Sequence, residues 1–254
     1  MPPGVIDPRH TQRVIGARID VLGWDDAVAR IAAWAGQGVS RVVFICNVHS
    51  VVTARQDPAF AAALAQADLA TPDGAPVAWM LRRLGHAGQP RINGPDLMWR
   101  CCADAAARGT SVYLYGGTEE VLARLQQRLR AAFPGLRIAG AASPPFRTLS
   151  AEEDAAAVAA INASGAGVVW VSLGCPKQEL WMHAHRGRVQ AVMVGVGAAF
   201  DYHAGTTPRA PRWMQEAGLE WLHRLASEPR RLWRRYLVTN TLFVLAAVRQ
   251  LLGR

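Results

Sequence analysis

The sequence predicts an α/β fold: a doubly wound, mostly parallel sheet with a helical appendage at its C-terminal end. Three observations lead there. Apolar and β-branched runs recur at residues 41–46 (RVVFIC), 111–115 (SVYLY), 168–171 (VVWV) and 191–196 (AVMVGV), the pattern of strands buried on both faces. Stretches with helical apolar spacing separate them, and strands alternating with helices build a parallel sheet. After Thr207 the alternation stops. Pro208-Arg-Ala-Pro-Arg212 punctuates the chain, and the residues beyond it are helical in pattern and rich in Arg and Trp.

In order, residues 1–13 are polar with three prolines and are expected to form a loose arm; residues 14–19 come next as a first strand. Residues 24–35 are helical, with Asp25 as N-cap. The strand at 41–46 ends at Asn47, and a helical stretch runs on to Gln66. A short strand at 68–70 enters Thr71-Pro-Asp-Gly74, and 75–84 are helical. Arg91-Ile-Asn-Gly-Pro-Asp96 leads into a helix at 97–107. The strand at 111–115 turns at Gly116-Gly117-Thr118 into an amphipathic helix at 119–133. A strand at 136–140 and a helix at 151–163, acidic in its first turn as the helix dipole favours, come next. The strand at 168–171 turns at Ser172-Leu-Gly-Cys175, and Pro176 opens a helix. Residues 191–196 end in a glycine-flanked loop carrying Asp201 and His203. These units form a Rossmann-like catalytic domain over 1–208. Residues 209–254 form the appendage, with helices at 213–226 and from Arg230, broken at Glu228-Pro229. A chain ending before Arg209 is therefore expected to keep a folded core.

The 254 residues are 51% hydrophobic, which supports a large core and argues against disorder. The net charge of +9 is an arginine excess, since Lys177 is the only lysine. It implies acidic partners: phosphorylated substrate, anionic lipid or nucleic acid. Cys46, Cys101, Cys102 and Cys175 show no metal-ligand spacing, so neither a zinc site nor a disulfide framework is expected. Reduced thiols in a cytosolic protein are the expectation. The longest apolar run, 237–248, is too short to span a bilayer.

Candidate site residues stand at strand ends. Asp73 follows a strand beside an apolar helix, as a general base would, although a turn carboxylate capping that helix is the plain alternative. Arg91 is either solvated or able to reach a phosphate with both arms of its guanidinium. Gly116 and Gly117 let backbone approach a phosphate or sugar, but neither the G-x-G-x-x-G fingerprint nor a P-loop lysine is present. Lys177, Gln178 and Glu179 sit on a helix N-terminus at the end of a parallel strand, where open α/β sheets place ligands. For His203 a structural hydrogen bond outweighs catalysis. Arg230, Arg231, Arg234 and Arg235, with Trp213, Trp221, Trp233, Tyr236 and Phe243, suit a helix on an anionic membrane surface. Leu232, Trp233, Tyr236 and Leu237 are expected to enter that interface. Cations at a helix N-terminus oppose its dipole, which favours an external anion as their purpose.

The ordered set Thr71-Pro-Asp-Gly74, Arg91-Ile-Asn-Gly-Pro-Asp-Leu97, Tyr115-Gly-Gly117, Gly174-Cys-Pro-Lys-Gln-Glu179, Gly195-Val-Gly-Ala-Ala-Phe-Asp201, Arg209-Ala-Pro-Arg-Trp-Met214 and Gly218-Leu-Glu-Trp-Leu-His-Arg-Leu-Ala-Ser-Glu-Pro229 resembles the bacterial WecG/TagA/CpsF glycosyltransferase family. The resemblance spans about residues 14–250. It implies an inverting, metal-independent transferase that needs no cofactor and sits peripherally on the cytoplasmic face of the cell membrane. Such enzymes move a sugar from a UDP-sugar donor to a polyprenyl-diphosphate-linked sugar acceptor, N-acetylmannosamine or its uronic acid in some members and glucose in others. The products feed cell-envelope polysaccharides. The resemblance places the base on Asp73, the active-site arginine on Arg91 and the pocket glutamine on Gln178. It places the family's asparagine on Asn47, and the arginines that close over the diphosphate on Arg224, Arg231 and Arg234. Where the family usually has threonine this chain has Ile45, which puts the donor or acceptor sugar in question.

The residues fit this chemistry: displacement at an anomeric carbon needs a base for the acceptor hydroxyl and cations for the departing diphosphate. No D-x-D is placed to hold a divalent ion, so no metal is expected. The competing classes are an anionic-lipid or nucleic-acid binding module and a UDP-sugar epimerase or dehydrogenase. The first lacks any nucleic-acid motif, so no nucleic-acid partner is expected; the second lacks a dinucleotide fingerprint. The donor sugar, the acceptor sugar and the oligomeric state are left open, a homo-oligomer included.

Overall fold

The chain enters its fold through a hairpin. Strands β1 (Thr11–Val14) and β2 (Ala17–Asp20) pair antiparallel, with Val14 opposite Ala17. The single strand expected over 14–19 is therefore two strands joined by Ile15 and Gly16, both at positive φ (45° and 96°). A two-residue turn needs that backbone to match the strand twist, and Ile-Gly is a weaker signal for it than Asn-Gly. The structure, a computed structural model, describes residues 9–253 except the side chain of Arg231. Residues 1–8 of the expected arm lie outside the described residues. Arg9 is tied down, donating to both oxygens of Asp20 and to the Ala67 carbonyl.

Helix α1 (Trp24–Gln37) follows, capped by Gly23 rather than Asp25; the Gly23 N–H donates to Asp26 Oδ2. Strand β3 (Arg41–Cys46) leads to α2 (Val48–Gln56), where Asn47 accepts from the Ser50 N–H. The stretch expected as one helix to Gln66 is broken at Asp57, which caps α3 (Pro58–Gln66) with proline in its first turn. Then come β4 (Leu69–Pro72), α4 (Ala75–Arg83), α5 (Gly94–Arg108), β5 (Ser111–Gly116), α6 (Glu119–Ala132), β6 (Arg137–Ala142), α7 (Ala151–Ala163), β7 (Val168–Ser172), α8 (Lys177–Ala184), β8 (Val192–Gly195) and α9 (Ala199–Ala204). Helix α5 begins three residues earlier than expected because Asn93 caps it and Pro95 sits in its first turn. The expected loop around Asp201 is the helix α9, and Pro176 stands at the N-cap of α8 rather than inside it.

Six of the described strands form one parallel sheet in the order β4-β3-β8-β7-β5-β6. The doubly wound, Rossmann-like expectation holds. Alternate residues of each central strand enter opposite layers. Phe44, Val171 and Met193 join the layer containing α2, α3 and α8, while Val43, Trp170 and Val194 join that of α1, α5 and α6. The connections β3 to β4 and β5 to β6 run outward in opposite directions and cover opposite faces of the sheet, α2 and α3 on one and α6 on the other. Such a reversal opens a crevice at the carboxyl ends of the central strands.

The C-terminal part departs from expectation. The helix expected over 213–226 is two, α10 (Arg212–Glu216) and α11 (Glu220–Ser227), separated at Gly218. Its φ is 73°, and a Cβ there would lie 2.7 Å from that of Ala75, so the junction lies directly against the start of α4. Helix α12 (Pro229–Leu251) does not stand apart from the body. Phe243, Ala246 and Ala247 are buried in the core beside α2, and Gln250 bonds Ile15 N–H and Arg13 C=O of the hairpin. Cutting before Arg209 would strip these residues from the core, so the folded truncated chain is not expected. Leu232 and Tyr236, assigned to a membrane interface, turn inward, whereas Trp233 and Leu237 are 55% and 62% exposed. No helix among the described residues is long and apolar enough to cross a membrane.

Candidate active site

A cleft of about 1880 Å³ opens at the carboxyl ends of the sheet strands, with α11 and α12 along its rim. Asp73 reaches it from the end of β4, fixed by its N–H to the Cys46 carbonyl. Its Oδ1 accepts from the Gly74 N–H and, at 3.2 Å, from Arg91 Nε. Oδ2 has no partner among the described residues. Arg91 is held beside the strand by the next residue, whose N–H donates to the Pro72 carbonyl. Its other arm reaches out of the α/β body, and Nη2 donates to Glu220 Oε2 at the start of α11. Glu220 also meets Arg209 Nε at 3.4 Å, and Arg209 grips Asp96 with both terminal nitrogens.

A chain of alternating charges thus runs Asp73–Arg91–Glu220–Arg209–Asp96. Burial alone would lower the Arg91 pKa, but the carboxylates of Asp73 and Glu220 outweigh it and raise it. Burial would raise the Asp96 carboxyl, yet the donors of Arg209 and Asn93 carry it below its ordinary value. This network fastens the segment after Thr207 to the α/β body. Arg209, Glu220, Asn93 and Asp96 were visible in the sequence only as members of motifs. Their roles depend on which charges meet across more than a hundred residues, and no local pattern carries that.

Asp73, Arg91, Gln178, Asn47, Gly117, Lys177, Glu179, Asp201 and Arg224 all line the cleft, as does Ile45. Gly116 does not. Its Cβ would stand 2.3 Å from the Ser172 carbonyl, so glycine is needed there for β5 and β7 to approach. Arg234 is exposed and away from the cleft lining, and the Arg231 side chain lies outside the described residues. Arg235, one residue on and about 100° round the helix, lines the cleft. Arg224 lies 6.0 Å from the Tyr202 ring; burial would lower its pKa, but Tyr202, Tyr236 and nearby carboxylates including Asp73 raise it. His203 hydrogen-bonds the Pro95 carbonyl and stacks on Trp99, the structural role its position suggests.

Gln178 and Glu179 are 5% and 2% exposed. Gln178 Nε2 donates to Glu179 Oε1, and Gly195 makes room, since a Cβ there would lie 3.0 Å from that nitrogen. Gln178 Oε1 and Glu179 Oε2 are buried without partners among the described residues. Burial raises the Glu179 carboxyl above its ordinary 4.5. A raised carboxyl pKa costs stability once the pH exceeds the unfolded value, and the cost grows until the folded value is passed. Glu179→Gln is therefore expected to match the wild type in thermal melts below pH 4.5 and to gain on it as the pH rises toward neutral. A stability difference independent of pH would contradict this.

Against models of known protein families, the chain matches the one described as Glycosyl transferase WecG/TagA/CpsF family over residues 12–254.

Proposed function

The chain belongs to the WecG/TagA/CpsF glycosyltransferase family and is a glycosyltransferase of cell-surface polysaccharide synthesis; from that premise we propose that it carries a sugar from a UDP-sugar to a polyprenyl-diphosphate-linked sugar, with inversion and without a metal. The observation that carries this reading is the meeting of Asp73, with its Oδ2 unpartnered among the described residues, and the cations Arg91 and Arg224 in one cleft. Asp73 takes the proton of the acceptor hydroxyl as the oxygen attacks the anomeric carbon. Arg91 orients that carboxylate. Arg224 stabilises the charge that develops on the departing diphosphate, a task fixed cations perform well in a site screened from water. Asn47, whose Oδ1 is used in capping α2, keeps its amide N–H groups for substrate, and Gln178 offers a free carbonyl oxygen.

The test is the product of transfer. Its new glycosidic bond, followed by NMR, should have the configuration opposite to the donor's, and the rate should persist in excess EDTA. Retention would remove direct displacement, and a strict need for magnesium or manganese would remove the arginine-based account of the leaving group.

Membrane attachment is read from the outer side of α12. Trp233, Leu237, Val238 and Leu245 are 46–62% exposed, with Arg234 among them. Exposed apolar side chains interleaved with arginine suit an anionic leaflet, where each basic residue adds about 1 kcal/mol. Leu237→Glu with Leu245→Glu in the full chain should abolish flotation with anionic liposomes while leaving the melting temperature unchanged, because neither residue is in the core. Undiminished flotation would remove this helix from the membrane contact.

A further inference from the structure

Helix α4 follows directly on Asp73 and Gly74 and divides its residues between two sides. Val77, Ala78, Met80 and Leu81 are buried in the body. Ala75, Pro76, Trp79 and Arg82 take the other side and line the cleft. Trp79 is 43% exposed there, a large apolar surface that gains from being covered. Arg83 holds the indole, its guanidinium 5.9 Å from the ring centroid, and does not itself line the cleft. A ring held from that side presents its other face to a ligand.

The place of the ring ties it to Asp73. Asp73 stands two residues before Ala75, and Ala75 is where the Gly218 junction packs, its Cβ 2.7 Å from one built on Gly218. Glu220, two residues past that junction, bonds Arg91, and Arg91 bonds Asp73. Trp79 follows Ala75 by four residues, one turn and about 6 Å along the same side of the helix. Asp73 and the indole therefore border one stretch of the cleft, at the β4 edge of the sheet. The turns that suit an anionic nucleotide lie elsewhere. Lys177 starts the helix after β7, three strands from β4 and about 14 Å across the sheet, and Gly117 follows β5, one strand farther.

We propose that Trp79 binds the acceptor sugar, its indole stacking on the apolar face of the pyranose so that the attacking hydroxyl is presented to Asp73. A pyranose carries C–H groups on its faces and hydroxyls at its rim. Stacking covers the first and leaves the second free to hydrogen-bond, the usual division of labour in a ligand pocket. That the bound sugar is the acceptor rests on the transferase reading; the platform rests on α4 alone. Membrane contact is the other use of an exposed tryptophan. It suits α12, where Trp233, Leu237, Val238 and Leu245 make an apolar surface, but on α4 Trp79 stands among Pro76, Arg82 and Arg83 while the aliphatic residues face inward.

The test is calorimetric titration of the full chain with octyl diphosphate, bare or carrying glucose, galactose or their N-acetylamino forms. At least one sugar should make the wild type bind more tightly than it binds bare octyl diphosphate. Trp79→Ala should weaken that compound by about tenfold and bare octyl diphosphate by less than about twofold. Trp79→Phe should recover most of the loss, and Trp79→Leu, apolar but without a ring, should not. In initial-rate assays Trp79→Ala should raise the KM for the acceptor by a similar factor and leave the KM for the UDP-sugar within about twofold. No sugar that improves on octyl diphosphate, a parallel loss of both compounds, or wild-type binding by Trp79→Leu overturns the proposal. Lost flotation with anionic liposomes beside unchanged titrations also overturns it, and makes Trp79 a membrane contact. A wild type that binds the sugar compound yet releases no UDP from any donor would instead strike the transferase reading, and the titrations would still decide Trp79.

Discussion

Asp73→Asn is expected to lower sugar transfer by roughly 100- to 10,000-fold, the usual loss when a general base is removed, while the protein stays folded and binds UDP. The structure explains the separation. Asparagine keeps an oxygen at the position that accepts from Gly74 N–H and Arg91 Nε, and Arg91 keeps its bond to Glu220. The change removes a proton acceptor but leaves the network tethered. Initial rates measured beside thermal melts and UDP titrations check it. Near-normal turnover in a folded Asp73→Asn protein would take Asp73 out of the base role.

The second large effect belongs to Arg91→Lys. Arg91 uses Nε for Asp73 and Nη2 for Glu220, and a lysine ammonium is a single point that cannot bridge both. Glu220, 8% exposed as a residue, would then keep only its 3.4 Å contact with Arg209. Breaking a buried pair costs about 3–5 kcal/mol; with the Arg91 side chain 22% exposed, about 2–3 kcal/mol is expected. At about 2–4 °C per kcal/mol for a chain of this size, melting should fall by about 4–12 °C. Transfer should fall at least about 100-fold as Asp73 loses its orienting partner. Hydrogen exchange supplies a local readout, since amides of residues 209–228 should lose protection ahead of the sheet. Unaltered melting and exchange would mean that the network does not fasten this segment.

Much of this was legible in the sequence because strand runs and turn residues are local signals. RVVFIC at 41–46 is a strand over the stated bounds, and Asp73 and Gln178 reach one cleft because parallel strands deliver the segments that follow them to one edge. The misses have physical causes. The split at Gly218 and the role of Gly116 are set by a close approach to another part of the chain, which apolar periodicity does not record, while the hairpin at Ile15-Gly16 turns on two positive φ values that Ile-Gly signals only weakly. The arginine run at 230–235 was read as a set; only helical phase and the packing of α12 on α2 decide that Arg235 enters the cleft while Arg234 does not. The ion-pair chain was hidden for the same reason: Arg91 and Glu220 are 129 residues apart.

The most direct test of the account is acceptor-dependent UDP release. Purified full-length protein is given a panel of UDP-sugars, with and without a polyprenyl-diphosphate-linked sugar, and free UDP is followed for wild type and Asp73→Asn. The account predicts that one or more donors release UDP only when the lipid-linked acceptor is present, and that Asp73→Asn removes this release. Release that is indifferent to the acceptor, or to Asp73, would contradict it.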